Sequence, residues 1–131
     1  MIYLDSCIPM YLVGAAHPLK TRVIELIPLL LSSKEEFVTT AEAFQEIIHR
    51  YVALKDKKHL SAAYEALEEM VSLVAEVSKE DTDVALSLCS QYEGLSSRDC
   101  LHVAVMRRIA CQRIWTYDTH FDIVPSIQRI Q

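Results

Sequence analysis

Glycine is nearly absent from this chain: of 131 residues only Gly14 and Gly94 are glycine. Loops that cradle phosphate need several closely spaced glycines, so a P-loop or a dinucleotide-binding turn is excluded. Proline is sparse too, with four in all. No stretch has the composition of a linker, a repeat or a disordered tract. The cysteines at 7, 89, 100 and 111 include no pair at two-residue spacing. That excludes a zinc ribbon and a thioredoxin-type motif. Cys89 and Cys100 fall on apolar helix faces, where cysteine acts as a small hydrophobe. No apolar run approaches membrane-spanning length. The first five residues hold no Lys or Arg, and Asp5 interrupts the apolar start. No signal peptide is therefore expected, and a reducing cytoplasm is the natural compartment. Excess positive charge is also lacking, since the formal net charge is −5. That argues against holding nucleic acid by bulk electrostatics. It remains compatible with a nuclease whose clustered carboxylates lower the count, or with a basic partner.

What is present is a soluble globular composition, 51% hydrophobic and 24% charged. It predicts one domain over residues 1–131 with a single core. Residues 1–4 read as a strand ending at Asp5-Ser6, and 8–14 as a short helix closed near Gly14. From Pro18 an apolar pattern runs to Leu31 at helical spacing. Pro28 falls inside it, so this is either two short helices or one kinked helix. Residues 36–40, with three β-branched side chains, read as a second strand. Amphipathic helices follow over 41–53 and 57–71. A third strand is expected over 73–77, with helix an alternative for its start. Ser78 caps a helix that Gly94 ends as a left-handed C′ residue. Ser96 caps the most apolar helix, 97–110, whose body from Cys100 to Met106 has one polar residue, His102. A fourth strand spans 113–117, and 127–130 is a fifth, edge strand. Strands alternating with helices imply crossover units, an α/β fold with a parallel sheet covered on both faces.

In such sheets the working crevice lies beyond the carboxyl ends of the strands. Asp5 and Asp118 follow the first and fourth strands. Glu42 and Glu46 lie on the helix entered from the second, and Asp99 starts the helix that feeds the fourth. Each acid also has an ordinary explanation as a turn former, a solvated helix residue or a cap. Their common end of the sheet is the unusual feature. Like charges held together repel by about 1–4 kcal/mol per pair at surface-like dielectric. An all-oxygen cluster of this kind suits a hard cation, Mg²⁺ or Mn²⁺. Glu42 and Glu46 both point away from the Phe44, Ile47, Ile48, Tyr51 stripe, and periodicity does not separate them. His102, one turn past Asp99, reads either as a ligand or as a hydrogen-bonded core residue. The basic cluster from His49 to His59 reads either as an RNA-backbone track or as a solvated connection. Arg98, beside Asp99, is placed to meet a phosphate or a partner's carboxylate.

Four motifs resemble those of PIN domains, and among them the VapC-type toxins of toxin–antitoxin pairs. They are Asp5-Ser6 after the opening strand, Gln45-Glu46-Ile47-Ile48-His49-Arg50-Tyr51, Arg98-Asp99-Cys100-Leu101-His102-Val103-Ala104, and Thr116-Tyr117-Asp118-Thr119-His120-Phe121-Asp122. Each is weak alone; the ordered set spans nearly the whole chain. The resemblance implies a five-stranded parallel sheet between helices and divalent-metal-dependent cleavage of single-stranded RNA. It also implies a homodimer and a cognate antitoxin. By position, Asp5, Glu46, Asp99 and Asp118 match the acidic quartet, which selects Glu46 over Glu42. Ser6 and Arg98 flank the matched acids. Thr116 matches a hydroxyl position beside the site, and Asp122 a less regular fifth acid. The rival expectations are a non-catalytic interaction module and a phosphoacceptor receiver domain. The receiver would want paired acids after the first strand and a lysine after the last, and neither is evident.

Overall fold

The computed structural model describes residues 1–131. Five short strands, β1 (Ile2–Leu4), β2 (Phe37–Thr40), β3 (Leu73–Ala75), β4 (Arg113–Trp115) and β5 (Gln128–Ile130), form one sheet in the order β3-β2-β1-β4-β5. Every neighbouring pair is parallel. The helices are α1 (Cys7–Val13), α2 (Pro18–Ser32), α3 (Ala41–Ala53), α4 (Lys57–Met70), α5 (Lys79–Gln91) and α6 (Ser97–Arg108). A 3-10 helix, Thr119–Ile123, precedes β5. No helix is long and apolar enough to cross a membrane.

Side chains alternate across a strand, so each strand feeds both faces of the sheet. Ile2, Leu4, Phe37 and Trp115 point to one face, where Ile8, Val23, Leu26, Phe44, Ile47, Tyr51 and Leu67 from α1 to α4 cover them. Tyr3, Val38 and Ile114 point to the other, against Ala85 and Leu88 of α5, Val103 and Met106 of α6, and Phe121. These paired layers explain why the central strand, β1, is apolar and buried throughout. They also explain why α6 is so rich in apolar residues: Cys100, Val103, Ala104, Val105 and Met106 are all buried.

The helix ends differ from the sequence reading at instructive points. Gly94 is not a left-handed C′ residue. The chain leaves α5 through extended Tyr92, and no glycine has positive φ. Lys34, Lys55 and Ala110 take that conformation instead, at φ 56°, 54° and 56° after α2, α3 and α6. Behind each, the next N–H closes onto a carbonyl five residues back: Glu35 on Leu30, Asp56 on Tyr51 and Cys111 on Met106. This is the Schellman closure built without glycine. Pro28 lies inside one continuous helix. Its missing N–H orphans the carbonyl of Ile24, a residue on the exposed side, where water can take that bond. Strand β3 stops at Ala75 and β4 at Trp115, each two residues short of expectation. Cys89 is exposed rather than packed.

Candidate active site

The strand order places β1 at the centre with connections running outward to both sides. The order reverses between β1 and β4, and a crevice opens beyond their carboxyl ends. Asp5 follows β1 there, and its N–H bonds the Trp115 carbonyl at 3.2 Å. Beside it, the buried Thr116 hydroxyl donates to Asp5 Oδ2. Thr116 Oγ1 also accepts the Asp118 N–H at 3.0 Å, so one hydroxyl ties the two acids across the switch point. Ser6 donates to Asp5 Oδ1 at 3.3 Å, and the Cys7 thiol donates to Oδ2 at 3.3 Å.

Asp5, Glu46, Asp99 and Asp118 all line one cleft of about 770 Å³. Asp99 sits in a full capping box at the head of α6. Its Oδ2 accepts the Ser96 N–H at 3.0 Å, and Ser96 Oγ accepts the Asp99 N–H at 3.2 Å. The capping and cleft-facing readings of Asp99 therefore describe one side chain in both places. Asp118 caps the 3-10 helix through the His120 N–H at 2.8 Å, and His120 Nδ1 lies 2.6 Å from the same carboxyl oxygen. Glu46 meets His102 Nε2 at 3.0 Å. Glu42 points elsewhere, toward Arg98 at 3.8 Å, and lines a neighbouring hollow with Leu86 and Cys89. Ser6 and Arg98 line the cleft with the four acids. Asp122 does not, because Arg129 of β5 holds it with two bonds of 2.9 and 3.0 Å.

Burial sets the electrostatics. Asp5 is 9% exposed. Desolvation pushes its carboxyl above the usual range, against the pull of the His102 charge and the Thr116 hydroxyl. Burial also works against the Glu46 charge, but the bond and charge of His102 outweigh it and the net shift is down. For His102, burial favours the neutral ring, while Glu46 favours the charged one and prevails. Two carboxyls on one cleft are thus driven in opposite directions. Cys7 is the soft ligand of the cleft, and burial beside Asp5 holds its thiol well above its ordinary pKa.

This donor set fits a hard divalent cation, with four carboxylates and one thiol kept protonated. The donors do not form a finished cage, since no three His, Cys, Asp or Glu side chains stand grouped for a metal. Each carboxylate is held by its own protein donor instead. Basic groups share the rim: His49 and Arg50 from α3, Arg98 from α6, and His120. Only His49 and Arg50 of the expected basic cluster reach the cleft. Asp56 takes His59 at 2.7 Å. Sequence reasoning did not single out Tyr3, whose hydroxyl lies behind His102, or His120. Tyr3 carries no sequence signal, because it alternates like any inward strand residue. His120 stands two residues past a capping Asp, which is the one hint available.

A sheet wound outward from a central first strand, with acids from four segments at its switch point, defines a class of protein. The PIN domain model matches residues 2–126, and the chain belongs to the PIN domain family. Within it, Ribonuclease VapC13 of Mycobacterium tuberculosis is 42% identical over 130 residues, covering 99% of each chain. Two solved structures share the fold. Mycobacterium tuberculosis VapC20, a sarcin-ricin loop cleaving toxin, superposes with a TM-score of 0.73 at 18% identity, over 94% of each chain. The VapBC2 structure from Rickettsia felis, bound to a promoter DNA fragment, gives 0.76 at 16% identity, over 99% of this chain and 98% of that one.

Proposed function

We propose that the chain is an endoribonuclease that cuts single-stranded RNA with Mg²⁺ or Mn²⁺, and that it is the toxin of a toxin–antitoxin pair. On this reading it is a single PIN domain over 1–131, acts in the cytoplasm as a homodimer, and is restrained by a cognate antitoxin. The observation that carries the reading is the convergence of Asp5, Glu46, Asp99 and Asp118 on one cleft. The 42% identity with a VapC ribonuclease over the whole chain supports the substrate class. The Rickettsia felis VapBC2 structure supports an antitoxin partner.

When bound, a divalent cation supplies Lewis-acid chemistry, making water more acidic and neutralising charge on the departing oxygen. Asp5, Asp99 and Asp118 would hold it. Glu46 would hold it as well, or orient the attacking water. Thr116 keeps Asp5 aimed and ties it to the Asp118 backbone. Arg98 and Arg50 on the rim would bind phosphates of the strand. A water nucleophile needs no 2′-hydroxyl, so the product would carry a 5′-phosphate.

The test pairs calorimetry with cleavage. The purified chain should bind Mn²⁺, cut single-stranded RNA, and stop in excess EDTA. Cleavage that persists undiminished in EDTA refutes the metal dependence. Failure to bind Mn²⁺ and to cut RNA, with the acids intact, leaves the non-catalytic interaction module.

A further inference from the structure

One buried group behind the cleft, bonded to the lining residue Glu46, has no part in the scheme above. His102 is 2% exposed and lies on α6, one turn past Asp99. Its Nδ1 lies 2.5 Å from the Tyr3 hydroxyl, and its Nε2 lies 3.0 Å from Glu46 Oε1. The Tyr3 hydroxyl also meets Thr40 Oγ1 at 2.9 Å, and Thr40 caps α3 by accepting the Ala43 N–H at 3.4 Å. A single line of hydrogen bonds thus runs from the start of α3, through β1 and α6, and back to the middle of α3.

We propose that His102, backed by Tyr3, is a positioning residue that aims the Glu46 carboxylate into the cleft. Glu46 needs such a device more than the other acids do. Asp5, Asp99 and Asp118 have short side chains, and each has a donor one to three residues away, to which Asp5 adds the distant Thr116 hydroxyl. Glu46 has a longer, more flexible side chain on a helix, and its bond partner comes from 56 residues along the chain. A carboxylate can only accept, so Nε2 carries the proton in this bond whether the ring is neutral or charged. The Tyr3 hydroxyl can accept from Nδ1 or donate to it, and Thr40 Oγ1 can do the same for Tyr3. Both ring states are therefore satisfied, and the aim of Glu46 does not depend on which one is present. Burial holds the Tyr3 phenol far above its ordinary pKa, so the hydroxyl keeps its proton. Partners of this outer kind typically change metal affinity or activity by 10–100-fold.

This inference rests on the nuclease reading for its consequence, but its geometry is testable without it. The first measurement is NMR on the metal-free chain. Glu46 should occupy one side-chain rotamer in the wild type, and the His102 Nε2–H should be visible and slow to exchange. In H102L the Glu46 couplings should average. H102Q, whose amide can donate from a similar place, should restore most of the order. The second measurement is RNA cleavage with Mn²⁺. H102L should lose about 10–100-fold in kcat, H102Q should recover most of it, and Y3F should lose several-fold. On an E46Q background the H102L change should cost little more. A Glu46 side chain that stays fixed in H102L overturns the proposal. So does a loss of equal size with and without Glu46, or H102Q no better than H102L. Should H102L not fold, Y3F keeps the ring and its volume, and unchanged Glu46 order in that variant overturns the proposal as well. A wild-type chain that neither cuts RNA nor binds Mn²⁺ refutes the nuclease reading instead, and the NMR comparison still decides whether His102 holds Glu46.

Discussion

Thr116→Val is the sharpest probe of how the cleft is built. The substitution keeps the shape of a buried side chain and removes one oxygen. That oxygen donates to the Asp5 carboxyl and accepts the Asp118 N–H at 3.0 Å. A hydrogen bond to a charged group contributes about 1.5–3 kcal/mol and a neutral one about 1 kcal/mol. Valine's extra methyl offsets part of that loss, so a fall of about 2–4 kcal/mol in unfolding free energy is expected. Thr116→Ser keeps both bonds and should lose only about 1 kcal/mol, for the missing methyl. The loss should depend on pH with a definite sign. Burial already raises the Asp5 carboxyl, and the Thr116 hydroxyl counters it. Valine removes the counterweight, so Asp5 in the variant titrates higher still. The deficit is full where Asp5 is ionised and shrinks as pH falls through its folded-state titration, leaving only the neutral bonds. Urea unfolding in EDTA, followed by the single tryptophan, Trp115, measures it directly. A T116V deficit below 1 kcal/mol, or one equal to that of T116S, or one constant with pH, refutes the account.

Asp99→Asn keeps an oxygen for the Ser96 N–H and should change stability by a few tenths of a kcal/mol, whereas Asp99→Ala should cost about 1 kcal/mol. Both should abolish RNA cleavage, and full activity in Asp99→Asn would return Asp99 to capping alone. Glu46→Gln should lower cleavage to a small residual rate while Glu42→Gln leaves it near wild type; the reverse pattern in the RNA assay shifts the site by one helical turn. Ala110→Gly should raise the unfolding free energy by up to about 1 kcal/mol, because φ 56° costs any residue with a Cβ. Arg108→Met should cost about 2 kcal/mol at neutral pH, since Arg108 holds buried Asp81 by two bonds of 2.9 and 3.0 Å. Arg108 keeps the Asp81 carboxyl below the usual range, so its contribution is present above the ordinary carboxylate pKa and is lost as pH falls through the lowered one. Acid titration of both proteins should show the gap closing.

The architecture was legible because short runs rich in apolar or β-branched residues alternate with stretches of helical periodicity. The expected span of α3, 41–53, matches its bounds at Ala41 and Ala53 because the Phe44, Ile47, Tyr51 stripe is strongly periodic, and the structure adds Thr40 as its cap. Helix C-termini were less legible. A left-handed residue usually betrays itself as glycine, and here Lys34, Lys55 and Ala110 take that conformation. The cleft was legible as far as acids at strand ends can be counted. Pattern could not tell Glu42 from Glu46, because they share a helix face and only the tertiary partners, Arg98 and His102, separate them. Asp122 looked like a fifth acid of the cleft from its place in the fourth motif. Its capture by Arg129 depends on β5 returning alongside β4, which local sequence does not encode.

The central position of β1 has a consequence for synthesis. The first strand made is the middle of the sheet, and its partner across the switch point is among the last. Asp5 must wait 111 positions for the Thr116 hydroxyl. At about 5–20 residues per second, translation leaves an interval of about 5–20 s between them. During it, β1, β2 and β3 can pair, but one side of β1 stays open and the cleft has no second wall. The four acids therefore come together only late, when β4 docks and brings Thr116 and Asp118 to Asp5. A chain cut short just before β4 carries Asp5, Glu46 and Asp99 but lacks Thr116 and Asp118, and it presents an unpaired edge on β1. On the proposed nuclease reading such a fragment should be inert toward RNA, and its open edge exposes it to aggregation or proteolysis.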